Sequence, residues 1–155
     1  MISPSSALTV SVWFYLDTLP DMRWVGLVNK RSAFNVDTTF ALFIAADARI
    51  TVDVDGEESR FTSKVLATTS RWTHVAFVFD GSLPMEERVK LYVDGVLDTT
   101  APEPSAVLPP YAASVVVGNL VNGGDTFVGR LDEVALWTRA LSSTEIVALQ
   151  QAASR

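Results

Sequence analysis

From Leu8 to Leu16 every second residue is apolar: Leu8, Val10, Val12, Phe14 and Leu16, with Thr9, Ser11, Trp13 and Tyr15 between them. A helix scatters such a set around its axis, because its side chains repeat every 3.6 residues. A strand collects the set on one face, because successive side chains point to opposite sides. The pattern recurs along the chain. Ile50, Val52 and Val54 alternate with Thr51, Asp53 and Asp55; Val75, Phe77 and Phe79 follow Trp72-Thr73-His74; Val89, Leu91 and Val93 alternate with Lys90, Tyr92 and Asp94. Asp94-Gly95 then supplies the positive-φ pair of a tight hairpin. Ser114 to Gly118 and Phe127 to Trp137 complete the set. About nine or ten short strands with no helix between them predict an all-β antiparallel sandwich or barrel.

One helix is expected, at the C-terminal end. In Leu141-Ser-Ser-Thr-Glu-Ile146, Ser142 and Glu145 have the spacing of a capping box, and Leu141 and Ile146 that of a hydrophobic staple. Ile146 and Leu149 share one face, with Gln150 and Gln151 toward water. The stretch Thr99 to Pro110 holds Pro102, Pro104, Pro109 and Pro110, which exclude a central strand. It reads as a crossing connection between sheets. Phe40 to Ala46, Trp72 to Phe79, and Trp13 with Tyr15 are apolar on both faces, whereas a two-layer sandwich leaves one face of each sheet wet. The surplus lies under loops and the helix, or forms a binding face, or is covered by another subunit.

Composition narrows the function classes. A length of 155 residues fits one domain. Hydrophobic residues at 48% against charged residues at 19% exclude disorder, and no apolar run reaches the roughly 18 residues of a membrane-spanning helix. Twelve Lys and Arg against 18 Asp and Glu give a net charge of −6, which argues against a nucleic-acid backbone as partner. The absence of cysteine removes disulfides, thiolate metal sites and cysteine nucleophiles. The opening Met-Ile-Ser-Pro-Ser-Ser lacks the basic start and apolar core of a signal peptide. The chain is therefore expected either not to use that export route or to be a piece of a longer one.

Read in order, Leu8-Thr-Val-Ser-Val-Trp-Phe14, Leu27-Val-Asn-Lys-Arg31, Trp72-Thr-His-Val-Ala76, Val89-Lys-Leu-Tyr-Val-Asp-Gly95, Val117-Gly118, Gly129-Arg-Leu-Asp-Glu-Val-Ala-Leu-Trp137 and Ala140-Leu-Ser-Ser-Thr-Glu-Ile146 resemble laminin-G-like domains. These form the laminin-G/pentraxin branch of the concanavalin A-like jelly-roll superfamily. The resemblance covers almost the whole chain. It implies two curved antiparallel sheets and a non-catalytic recognition module for a glycan or protein surface, bound at rim loops or the concave face. It implies an extracellular, cell-surface or virion-associated setting, with a structural or assembly role as the alternative. Members usually begin with an extra strand that pairs with the last long one. Here the chain opens almost directly at the strand containing Trp13, so the strand Phe127 to Trp137 is expected to have a free edge, open to a homo-oligomer.

Candidate sites follow. Asp132 and Glu133 are adjacent, so strict alternation sends them to opposite faces, and neither gains a second carboxylate at i+2 or i+4. The carboxylate pair of a glucanase-type hydrolase is therefore not expected. In relatives, the residue matching Asp132 helps hold a structural Ca²⁺ or bonds backbone. The segment Asn29 to Asp37 resembles the pentraxin stretch in which an Asp and an Asn after Lys-Arg bind Ca²⁺. Asp37, with Asn119, Asn122 and Asp125 from the segment after Val117-Gly118, makes a candidate rim site. Asn-Gly-Gly-Asp is equally what a solvated turn looks like, and Ca²⁺ wants six to eight oxygens. His74, the sole histidine, has no Cys, second His or Gly-x-Ser-x-Gly elbow to work with; it reads as structural, tied to backbone or a carboxylate. Trp13 and Trp72 fit as packing residues first. Candidate ligand contacts are Trp13, Tyr15 and Tyr92, whose rings suit the apolar C–H faces of sugars, with Asn35 on the rim.

Overall fold

A computed structural model of the chain describes residues 5–33, 36–56, 60–120 and 126–153. The described strands are β1 (Ala7–Leu16), β2 (Val25–Lys30), β3 (Phe40–Ile44), β4 (Arg49–Val54), β5 (Arg60–Leu66), β6 (Trp72–Asp80), β7 (Val89–Val93), β8 (Val96–Ala101), β9 (Val115–Val117) and β10 (Gly129–Trp137). A 3-10 turn (Met85–Glu87) precedes β7, and helix α1 (Ser143–Ala152) follows β10. The strands form two five-stranded sheets, ordered β10-β1-β6-β7-β8 and β5-β4-β3-β2-β9, with every pairing antiparallel.

The alternation of β1 decides which residues enter the core. Leu8, Val10, Val12, Phe14 and Leu16 are buried and join Val75, Phe77 and Phe79 of β6 against Phe40, Leu42 and Ile44 of β3 and Ile50, Val52 and Val54 of β4. The Phe40 and Phe77 rings meet across the sheets at 5.6 Å. Each such large side chain, fully buried, contributes about 1.5–3 kcal/mol of transfer free energy.

Much of the apolar surplus on the outer faces is covered within the chain. Helix α1 lies on the β10-β1-β6-β7-β8 sheet, where Leu141 and Ile146 pack against Ala76, Val78 and Tyr92, with Trp137 and Leu149 beside them. Its start is fixed twice. Ser142 and Glu145 form the capping box, and buried Thr9 donates to Arg139 O (2.8 Å) and accepts from Leu141 N (3.0 Å). On the other sheet, Ala41 and Phe43 lie beneath Trp24 and Leu120.

Three details differ from the sequence reading. β8 runs to Ala101, so Thr99 and Thr100 are strand and the proline-rich connection starts at Pro102. β5 carries no clean alternation because it is an edge strand with most side chains exposed or half-buried. The third is in β10. Ser11 pairs with Ala135 and Trp13 with Asp132, so β10 holds one residue more than β1 over this interval. Glu133 takes φ +50°, and Leu131 and Val134, three apart, both pack against the core. This is a β-bulge. It breaks the expected opposite-face placement of Asp132 and Glu133: Asp132 stands in register with outward-facing Trp13, and Glu133 shares a cleft with Trp13 and His74.

Candidate functional site

The β1–β6 register places a row of aromatic residues on the outer face of the helix-bearing sheet. Trp13 stands opposite His74 and Tyr15 opposite Trp72. Their rings meet at 5.2 Å and 5.7 Å, the second pair edge-to-face. Trp13 is only 5% exposed, whereas Tyr15 and Trp72 are half-buried. The Arg130 guanidinium lies 4.4 Å over the Tyr15 ring. Beside this row a cleft of about 370 Å³ is lined by Trp13, Arg71, Trp72, Asp94 and Gln150.

Two of those residues are held in place by the hairpin turn. Asp94 takes φ +50° and Gly95 φ +79°, the conformation foreseen from Asp-Gly. That turn aims the Asp94 carboxylate back at β6, where it accepts from His74 N at 2.9 Å and from Arg71 Nη2. Gln150, expected to face water, is half-buried. The position of a Cβ on Gly95 falls 3.5 Å from Gln150 Cβ, so the end of α1 rests on the hairpin. The tight turn and the helix end therefore bring an acid, a base, an amide and two indoles around one concavity.

The His74 ring is tied to a hydroxyl where backbone or a carboxylate was expected: Nε2 lies 2.8 Å from Ser11 Oγ, both buried. Burial lowers its pKa to about 4, with the Asp94 charge opposing. Tyr92 lies buried against Leu141 and Ile146, 5% exposed.

The calcium candidates do not come together among the described residues. Asp37, at φ +48° beyond β2, accepts from Ser32 Oγ at 3.0 Å. Asn119 lies over the face of β2, where its carbonyl accepts from Asn29 Nδ2. Asp132 belongs to the other sheet, and its carboxylate accepts from Glu133 N at 2.8 Å within the bulge. Asn35, Asn122 and Asp125 lie outside the described residues. Among the described residues no group of three or more acidic, His or Cys side chains is placed to hold a metal. That part of the chain alone does not fit the six to eight oxygens of a Ca²⁺ shell.

The other sheet carries a charged cluster that the sequence did not announce. Asp53, 1% exposed, takes Arg60 Nε at 2.6 Å and Nη2 at 2.8 Å, with Arg31 Nη1 at 3.7 Å. Arg60 also lies 4.7 Å over the Trp24 ring, which stacks on Phe43. Burial pulls the Arg31 pKa below its usual value, opposed by Asp53. The bidentate geometry of Arg60 on Asp53 is that of a tie between β4 and β5.

A family model for laminin G domains of the concanavalin A-like lectin/glucanases superfamily matches residues 1–147. The chain belongs to this superfamily. No curated protein sequence matches it significantly. Among solved structures, it is similar to a candidate carbohydrate-binding protein of Bacteroides ovatus (16% identity, TM-score 0.76), covering 95% of this chain and 41% of that one. It is similar to domain 4 of AbnA, a GH43 extracellular arabinanase from Geobacillus stearothermophilus, solved with arabinotriose (20% identity, TM-score 0.72; 97% and 69% covered). A third is the CBM40 of the Ruminococcus gnavus IT-sialidase, bound to α2,3-sialyllactose (16% identity, TM-score 0.73; 95% and 84% covered). At these identities the likeness concerns the fold. The laminin G member's described helix is too short to cross a membrane.

Proposed function

We propose that this domain is a non-catalytic glycan-binding module whose sugar lies in the cleft of Trp13, Arg71, Trp72, Asp94 and Gln150. The observation that carries the reading is the composition of that cleft. A sugar ring offers apolar C–H faces and a rim of hydroxyls; half-buried Trp72 takes the face, while Arg71, Asp94 and Gln150 take the rim. Arabinotriose and sialyllactose in two structurally similar modules support a glycan as ligand class. Hydrolysis by the usual route needs two carboxylates facing one bond. Among the described residues Asp94 is the one carboxylate lining this cleft, and its two oxygens already accept from Arg71 and His74 N.

A glycan array followed by calorimetry, with arabinotriose and sialyllactose among the probes, tests the reading. Trp72→Ala is expected to weaken binding tenfold or more, on the scale of one lost stacking contact. An array with no hits, or hits indifferent to both Trp72→Ala and Arg71→Ala, would sink it.

An assembly role is the second reading, and one observation favours it. Among the described residues β10 pairs only with β1, and Val115, Val117, Val128 and Leu136 are exposed near that open side. The bulge and the charges of Arg130, Asp132 and Glu133 blunt the first half of the edge, leaving Val134 to Trp137 for strand addition. Sedimentation across a hundredfold concentration range should show a dimer broken by Leu136→Lys; a monomer throughout removes this role.

A further inference from the structure

The cleft assigned to the sugar does not end at Arg71 and Asp94. On the far side of that ion pair lies a second cleft of about 480 Å³, which the same two residues also line. Its character is different. Val65 and Leu66 from the end of β5 face Val93, Val96 and Leu97 of the β7–β8 hairpin. Four of these remain strongly exposed: Val65 46%, Leu66 54%, Val96 68% and Leu97 48%. Isolated exposed apolar residues need no explanation, but four converging from two sheets on one concavity do.

The cleft has a structural origin. The carboxylate of Asp98 accepts from the backbone N–H groups of Lys64 (2.7 Å) and Val65 (3.2 Å), and Thr99 Oγ1 donates to Thr62 O at 3.4 Å. These bonds tie β8 to the edge of β5, and the cleft opens beside them, toward Asp94. Its volume is that of a small-ligand site, whereas a protein partner requires a broad, flatter surface.

We propose that the natural ligand is a glycoside with a hydrocarbon aglycone, the sugar lying against Trp72 and the hydrocarbon passing over the Arg71–Asp94 pair into the cleft of Val65, Leu66, Val96 and Leu97. This rests on the glycan reading of the first cleft. A sugar alone would leave the second cleft's apolar wall in water, whereas an attached hydrocarbon removes it. The ion pair between the clefts suits the glycosidic junction, where polar oxygens give way to methylenes.

Matched methyl and octyl glycosides test the proposal: β-glucosides and β-lactosides, kept below their micelle concentrations, titrated into the ¹⁵N-labelled chain. The octyl compounds should shift both the Trp72 indole N–H and the amides of Val65, Val96 and Leu97, and the methyl compounds the indole alone. Affinity should rise by roughly fourfold for each methylene buried. Val65→Asn with Leu97→Asn should abolish that gain while leaving the methyl glycosides' affinity unchanged. Methyl and octyl glycosides binding equally at the indole would overturn the proposal and leave the glycan reading standing. A gain that survives the double substitution would also overturn it. Octyl glycosides shifting the cleft amides without the indole would overturn both readings, and the absence of any shift would overturn this proposal.

Discussion

His74 is a buried imidazole in a position that disfavours its charged form. The ring is held between Ser11 and Trp13, its Nδ1 has no hydrogen-bond partner, and burial lowers its pKa from 6.5 to about 4. Between those values the unfolded chain binds a proton that the native state refuses, so stability is complete above pH 6.5 and declines as pH falls toward 4. The full loss from this group is about 3 kcal/mol. An NMR titration of the imidazole should show no transition until below pH 5; a midpoint near 6.5 would contradict the account. The sequence shows the histidine and its lack of catalytic partners. It does not show Ser11 as the bonding partner, because that contact depends on which residues of β1 and β6 stand opposite one another. The same limit hid the cleft beside Trp72: Trp72 and Asp94-Gly95 are visible as a packing residue and a turn, and only the register and the seat of α1 turn them into neighbours of Gln150.

At the scale of elements, the alternation of β1 and the capping box of α1 were legible because each is a local physical requirement written in consecutive residues. The bulge in β10 was not, since an inserted residue leaves the composition of the strand unchanged. Nor was the lid formed by the segment after β9. That lid depends on Gly26. A Cβ there would sit 2.3 Å from the backbone C and O of Asn119 and 2.6 Å from Leu120 N, atoms that cannot turn aside as a side chain could. Gly26→Ala must lift the segment, loosening the Asn29 to Asn119 bond, the 3.5 Å contact of Arg31 Nε with Leu120 O, and the cover Leu120 gives to Phe43. A loss of about 2–3 kcal/mol is expected, as for other overpacking substitutions. Urea unfolding reads it, and an unchanged midpoint would mean that the segment is not held as described.

For the whole molecule, the two outer faces are covered in different ways, one by a helix and the other by a loop and Trp24. The surplus of apolar residues in the strands was legible as a surplus, but its cover was not, because a residue's type does not say what lies above it. The covering helix ends on the β7–β8 turn, and beside it the half-buried Tyr15 and Trp72 reach water. The Asp98 carboxylate has a consequence away from any ligand. An edge strand with bare N–H groups is a template on which a second chain can lay down a strand, and then a third, without limit. By occupying two adjacent amides of β5, Asp98 withholds them from any incoming strand, so one side chain that helps shape a cleft also blunts this edge of the sandwich.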